Sequence, residues 1–126
     1  MPGDAADIMV ALGRVLLGGL FVAGGVRHFF IGGVIVPMIA ARGLPMAAAV
    51  LYAGSVFQIA AGVLLLLGFF VTWAAIGLIV FTLAASIMLL NFWDMEKGQA
   101  RTSTINVWLS NIAIIGGLLI AAARAG

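Results

Sequence analysis

What most constrains this chain is its succession of four long apolar stretches, over about residues 8–30, 46–67, 70–90 and 106–123. Each approaches the roughly 20 residues that a helix, rising about 1.5 Å per residue, needs to cross about 30 Å of hydrocarbon. The apolar residues run on without alternation, which favours helices over barrel strands. Of the 126 residues, 65% are hydrophobic and only 8% charged, too few polar groups to clothe a water-soluble domain. The expected fold is all-α: a single transmembrane domain, 1–126, forming an antiparallel four-helix bundle that passes several times through a membrane.

The connections differ in character. Leu67, Gly68 and Phe69 read as a tight turn, so the second and third spans form a hairpin. Residues 91–105 are the most polar stretch, with Asp94, Glu96, Lys97 and Arg101. Residues 31–45 carry Gly32, Gly33, Pro37, Gly43 and Pro45 among apolar neighbours, a composition that argues against one continuous helix. Two readings stay open there: an interfacial or partly re-entrant segment, and a plain hydrophobic loop. The N-terminus lacks the positive region of a secretory signal, since Asp4 and Asp7 are the only charges before Ile8. The first span is therefore expected to remain in the mature protein.

The basic residues are scattered rather than clustered, so no nucleic-acid partner is expected. Arg14 and Arg124 fall on one side, and Arg27, Arg42, Lys97 and Arg101 on the other, which favours cytoplasmic connections and external termini. Trp73, Trp93 and Trp108 lie near span ends, as an interfacial aromatic belt would place them. Small residues line one face of several spans: Ala11, Gly18 and Gly25; Gly54 and Ala61; Gly117 and Ala121. Such faces let helices approach closely, either within the bundle or against a partner protein.

Polar side chains within the spans carry the functional signal. Arg14 and Gln58 come out at similar depths on antiparallel neighbours, so a hydrogen bond between them is geometrically possible; snorkelling of Arg14 to the headgroups is the competing reading. His28, Ser86, Asn91, Trp93 and Asn111 approach the same end of the bundle and form a candidate ligand pocket. Arg27 and Arg101 bring charge to the loops there. An apolar slot with a few hydrogen-bonding groups suits a quinone or another lipophilic molecule; the competing reading is a network that ties the spans together. With no cysteine and one histidine, thiolate chemistry, a metal cluster and bis-histidine haem ligation are not expected within the chain. No nucleophile–base set or phosphate-binding loop is present, and no catalytic activity of its own is expected.

The segments "GRVLLGGLFVAGGVRHF" at 13–29, "GLP" at 43–45, "AGSVFQIAAGVLLLLG" at 53–68, "NFW" at 91–93, Arg101 and "NIAIIGGLL" at 111–119 resemble, in order and spacing, the DoxX family of small four-span bacterial membrane proteins. Arg14, Leu17, Gly18, Phe21 and Gly25 fall on its first-span pattern, and His28 stands where the family has lysine or histidine. One position departs: the family commonly has glutamate where this chain has Gln58, which removes an ion-pair partner for Arg14. The resemblance implies an accessory membrane subunit linked to redox complexes, with membrane lipids and other subunits, or its own copies, as partners, no intrinsic cofactor, and quinone or lipid as ligand. Two alternatives stand beside it: a structural subunit that docks by its glycine faces, and a small carrier.

Overall fold

The computed structural model describes residues 5–43 and 45–125; Asp4 and Leu44, used above, lie outside them. The described residues form α1 (Ala5–Phe30), α2 (Gly32–Ala41), α3 (Ala47–Leu67), α4 (Val71–Leu89), a 3-10 turn (Phe92–Asp94) and α5 (Gln99–Ala125), with no strand among them. Helices α1, α3, α4 and α5 are the four long apolar elements with the length and composition to cross a membrane. They pack in a ring, α1 against α3, α3 against α4, α4 against α5 and α5 back against α1. Both expected features, the helical class and the four spans, are present.

Glycine sets the closest crossing. A methyl group on Gly18 would come within 2.5 Å of the Gly62 carbonyl oxygen and 2.8 Å of the Leu66 nitrogen. Seven residues on, Gly25 faces Ser55 and Ile59 in the same way. Without side chains at these positions the α1 and α3 backbones approach to a distance no larger residue permits. Gly54 and Gly77 receive Phe81 and Phe57 between α3 and α4, and Gly117 receives Leu17 between α5 and α1. The small-residue faces are thus occupied inside the bundle. Beside them Phe21, Ala61, Leu65, Ala74, Leu78, Leu118 and Ala121 make the apolar core.

The α3–α4 turn follows from Gly68. At φ 84° it takes the left-handed conformation that ends a helix. The Phe69 N–H reaches the Leu64 carbonyl at 2.9 Å and the Gly68 N–H the Leu65 carbonyl at 3.3 Å, closing a Schellman motif.

Residues 31–45 are not an irregular loop. Ile31 leaves the helical conformation, and α2 then starts on its carbonyl, which accepts from Val34 and Ile35. The ten-residue helix tolerates Pro37 because packing holds it: Ile39 is buried with Ala47 and Leu51 of α3. Helix α5 begins at Gln99, ahead of the expected residue 106. Its polar first turns have no bilayer to cross, so hydropathy alone does not register them.

Candidate functional site

All four spans wall a cavity of about 300 Å³ in the half of the bundle nearest the α1 C-terminus. Helix α1 contributes Phe21, Gly24 and His28; α3 contributes Gln58; α4 contributes Phe81, Thr82 and Ser86; and α5 contributes Asn111. On α3, Ser55 and Gln58 lie three residues apart, and on α4, Thr82 and Ser86 lie four apart. Each pair therefore shares one helix face.

The hydrogen bonds fix how these groups point. The Ser55 hydroxyl donates to the Leu51 carbonyl at 2.8 Å. A carbonyl only accepts, so the Ser55 proton is committed there, and the 3.0 Å contact with His28 Nδ1 makes that ring nitrogen the donor. Nε2 of the neutral ring is then an acceptor. Asn111 Nδ2 donates to Ser86 Oγ at 2.9 Å, joining α5 to α4. Gln58 Nε2 donates to the Phe21 carbonyl at 3.0 Å, beside Gly24, where a methyl group would lie only 2.8 Å from that nitrogen.

Two atoms lining this cavity have unmet capacity. Gln58 is 6% and Thr82 7% exposed, yet Gln58 Oε1 and Thr82 Oγ1 have no hydrogen-bond partner among the described residues. A buried polar group left unpaired costs about 1–3 kcal/mol, so such groups mark a place where something besides packing is served.

A second concavity of about 460 Å³ adjoins the first. It runs between α2, α3 and α4 and is apolar, with Ile35, Met38, Ile39, Val50 and Met88 in its walls. His28, Phe81, Ala85, Leu89 and Leu90 line both spaces, so His28 stands at the junction of a polar chamber and an apolar groove.

Of the residues singled out in the sequence, His28, Ser86 and Asn111 come together at the chamber. Asn91 and Trp93 do not line it. Asn91 Nδ2 closes the end of α4 by donating to the Ile87 carbonyl at 2.6 Å. Trp93 is half exposed and packs against Phe92 and Trp108. Arg101 is a strut: Nε donates to the Phe92 carbonyl at 3.1 Å and the guanidinium lies 5.9 Å from the Phe92 ring centre. Arg27 is an exposed charge in the last turn of α1, where a cation complements the helix dipole.

Of the two readings of Arg14, the hydrogen bond to Gln58 is not formed. Gln58 meets α1 at Phe21, two turns beyond Arg14, while the Arg14 guanidinium lies against Gly68 in the α3–α4 turn. The sequence estimate placed α1 and α3 with their ends flush. In the bundle α1 extends past the turn, so its tenth residue, Arg14, sits level with the end of α3.

Sequence comparison bears on the same elements. The DoxX family profile matches residues 9–91, from α1 to the end of α4. The chain belongs to the DoxX family. It is also 27% identical over 120 residues to the inner membrane protein YphA of Escherichia coli (strain K12), covering 95% of this chain and 85% of that protein. No solved structure matches it. Together with its four apolar spans, these likenesses place this DoxX protein in the bacterial inner membrane as a multi-pass protein.

Sequence reasoning missed Ser55 and Thr82, and it assigned Gln58 to the wrong partner. The signal was available in the polar pairs at helical spacing on α3 and α4. Single hydroxyls within apolar spans often bond back to their own helix, and only the ring order of helices shows that these two faces meet around one space.

Proposed function

We propose that this DoxX protein is a membrane subunit of a redox-linked complex and holds a quinone-class molecule, ring in the polar chamber and tail in the apolar groove. The observation that carries the reading is the junction at His28 of a chamber with unmet hydrogen-bonding capacity and a groove of almost purely hydrocarbon character. Lipophilic ligand sites combine an apolar lining with a few placed polar groups in this way. The chamber suits both redox forms of such a ring. The Thr82 and Ser86 hydroxyls can donate to a ring carbonyl, and Gln58 Oε1 and His28 Nε2 can accept from a ring hydroxyl. Electron transfer is assigned to a partner protein, because the chain has no cysteine and one histidine with which to hold a redox centre.

The test is titration of the purified protein with a short-chain ubiquinone or menaquinone analogue, followed by quenching of tryptophan fluorescence, together with mass spectrometry of co-purified quinones. Saturable quenching that weakens in His28→Ala and Thr82→Val supports the proposal. Quenching that rises linearly with analogue concentration, with no co-purified quinone and no difference in the variants, refutes it. Affinity capture in mild detergent then asks for the redox partner.

A further inference from the structure

At the other end of the bundle lies a third concavity, of about 520 Å³, where α1, the α3–α4 turn, α4 and α5 converge. Arg14 of α1 and Arg124 of α5 both line it, with Asp7, Gly68, Phe70 and Trp73. The Arg14 guanidinium is seated rather than free to roam. It lies so close to Gly68 that a methyl group on that residue would run into it. Among the described residues, neither Arg14 nor Arg124 has a hydrogen-bond or ion-pair partner that would occupy its donors. Two guanidiniums against one carboxylate leave the concavity with a net positive charge.

Its depth says what meets it. Helix α3 has 21 residues, about 31 Å, so it crosses the hydrocarbon and ends at its boundary. Gly68 caps that end, and Arg14 lies beside Gly68. Phe70 and Trp73, at the same level, are 73% and 75% exposed, as aromatic side chains are where tails give way to headgroups. A cationic recess at this level faces the layer of lipid phosphates. Guanidinium, planar and five-donor, matches a phosphate's oxygens in paired hydrogen bonds.

We propose that Arg14 and Arg124 form a binding site for the phosphate of an anionic phospholipid, with Trp73 and Phe70 against the start of its acyl chains. The site is separate from the chamber at His28, and its test does not depend on any quinone.

The experiment is native mass spectrometry of the full chain released from nanodiscs of mixed phosphatidylglycerol and phosphatidylcholine. The wild type is expected to retain phosphatidylglycerol preferentially. The double variant Arg14→Gln/Arg124→Gln is expected to lose that retention by roughly thirtyfold, the effect of two interfacial cations. Arg14→Lys, which keeps the charge and loses the fork, should fall between them, and His28→Ala should match the wild type. Circular dichroism checks that each variant keeps its helical content, and the lysine variant carries the test if the double variant fails to fold. Equal retention of the two lipids, or unchanged retention in the double variant, overturns the proposal. Millimolar inorganic phosphate should leave lipid retention intact; displacement of the lipid by it assigns the site to a free anion instead and overturns the lipid proposal.

Discussion

Individual residues divide between those that close the bundle and those that leave it open. Gly18 is of the first kind, because its neighbours are backbone atoms of α3 that cannot move aside. Gly18→Leu is expected to destabilise the protein by about 1–3 kcal/mol through overpacking, seen as a lower midpoint in a detergent melt. Gly116→Ala, on α5 with nothing within 4 Å, should leave the midpoint unchanged or raise it slightly. Thr82 is of the second kind. Its buried hydroxyl has no partner among the described residues, so Thr82→Val removes a desolvated group at nearly constant shape and is expected to stabilise the ligand-free protein by about 1 kcal/mol. The same variant should bind a quinone analogue more weakly. A higher melting midpoint with poorer ligand affinity would show stability given up for a site; a lower midpoint would show that the hydroxyl is satisfied in the native protein.

At the scale of elements, the polar stretch between α4 and α5 is held by side chains rather than by regular structure. Trp108 Nε1 donates to the Leu90 carbonyl at 2.6 Å, and Phe92 packs edge to face with both Trp93 and Trp108, which are tilted against each other. Arg101 fastens the same turn through Phe92. Trp108→Phe keeps most of the apolar contact and removes the donor. Amide exchange in residues 90–98 is expected to quicken by about three- to tenfold, the loss of one hydrogen bond worth about 0.5–1.5 kcal/mol, while exchange in α1 and α3 stays as it was. Helix α2 depends on its neighbours in a comparable way. It has ten residues and an internal proline, too short to persist alone. It is stable because Ile39 is buried with Ala47 and Leu51 of α3 and because Ile35 and Val36 pack against the same cluster.

The whole molecule is a ring of four helices with unlike ends. One end holds the chamber and groove that meet at His28; the other holds the paired arginines at the α3–α4 turn. A ligand placed with its ring in the chamber and its tail in the groove exchanges lipid contacts for groove contacts, so a longer tail adds affinity through packing alone, about 0.1–0.2 kcal/mol per atom pair, until the groove of about 460 Å³ is full. A series of analogues with one ring and increasing tails is therefore expected to tighten and then plateau. Affinity independent of tail length would place the ring elsewhere. Met38→Trp, in the groove wall and away from the chamber, should shorten the longest tail that still adds affinity.

That the chain is helical and membrane-spanning, how many times it crosses, and that α3 and α4 form a hairpin were all legible along the chain. These follow from the length of apolar runs and from a glycine where the chain must turn left-handed, and both are local properties. Membership of the DoxX family was legible too, in the order and spacing of its segments. The end of the bundle that gathers His28, Ser86 and Asn111 could be read from helix rise alone. The stagger of α1 against α3, which moved Arg14 from Gln58 to Gly68, and the ring order that brought Gln58 and Thr82 to one space arise only in the packed bundle. So do the closure of α4 by Asn91 and the helix within residues 31–45. The physical reason is the same in each case. Hydropathy specifies which residues leave water, but in lipid every helix face is already apolar, so facing and stagger are chosen by contacts of glycine backbone and single hydrogen bonds that no window along the chain averages into view. The four spans were written along the sequence; the chamber between them exists only in their packing.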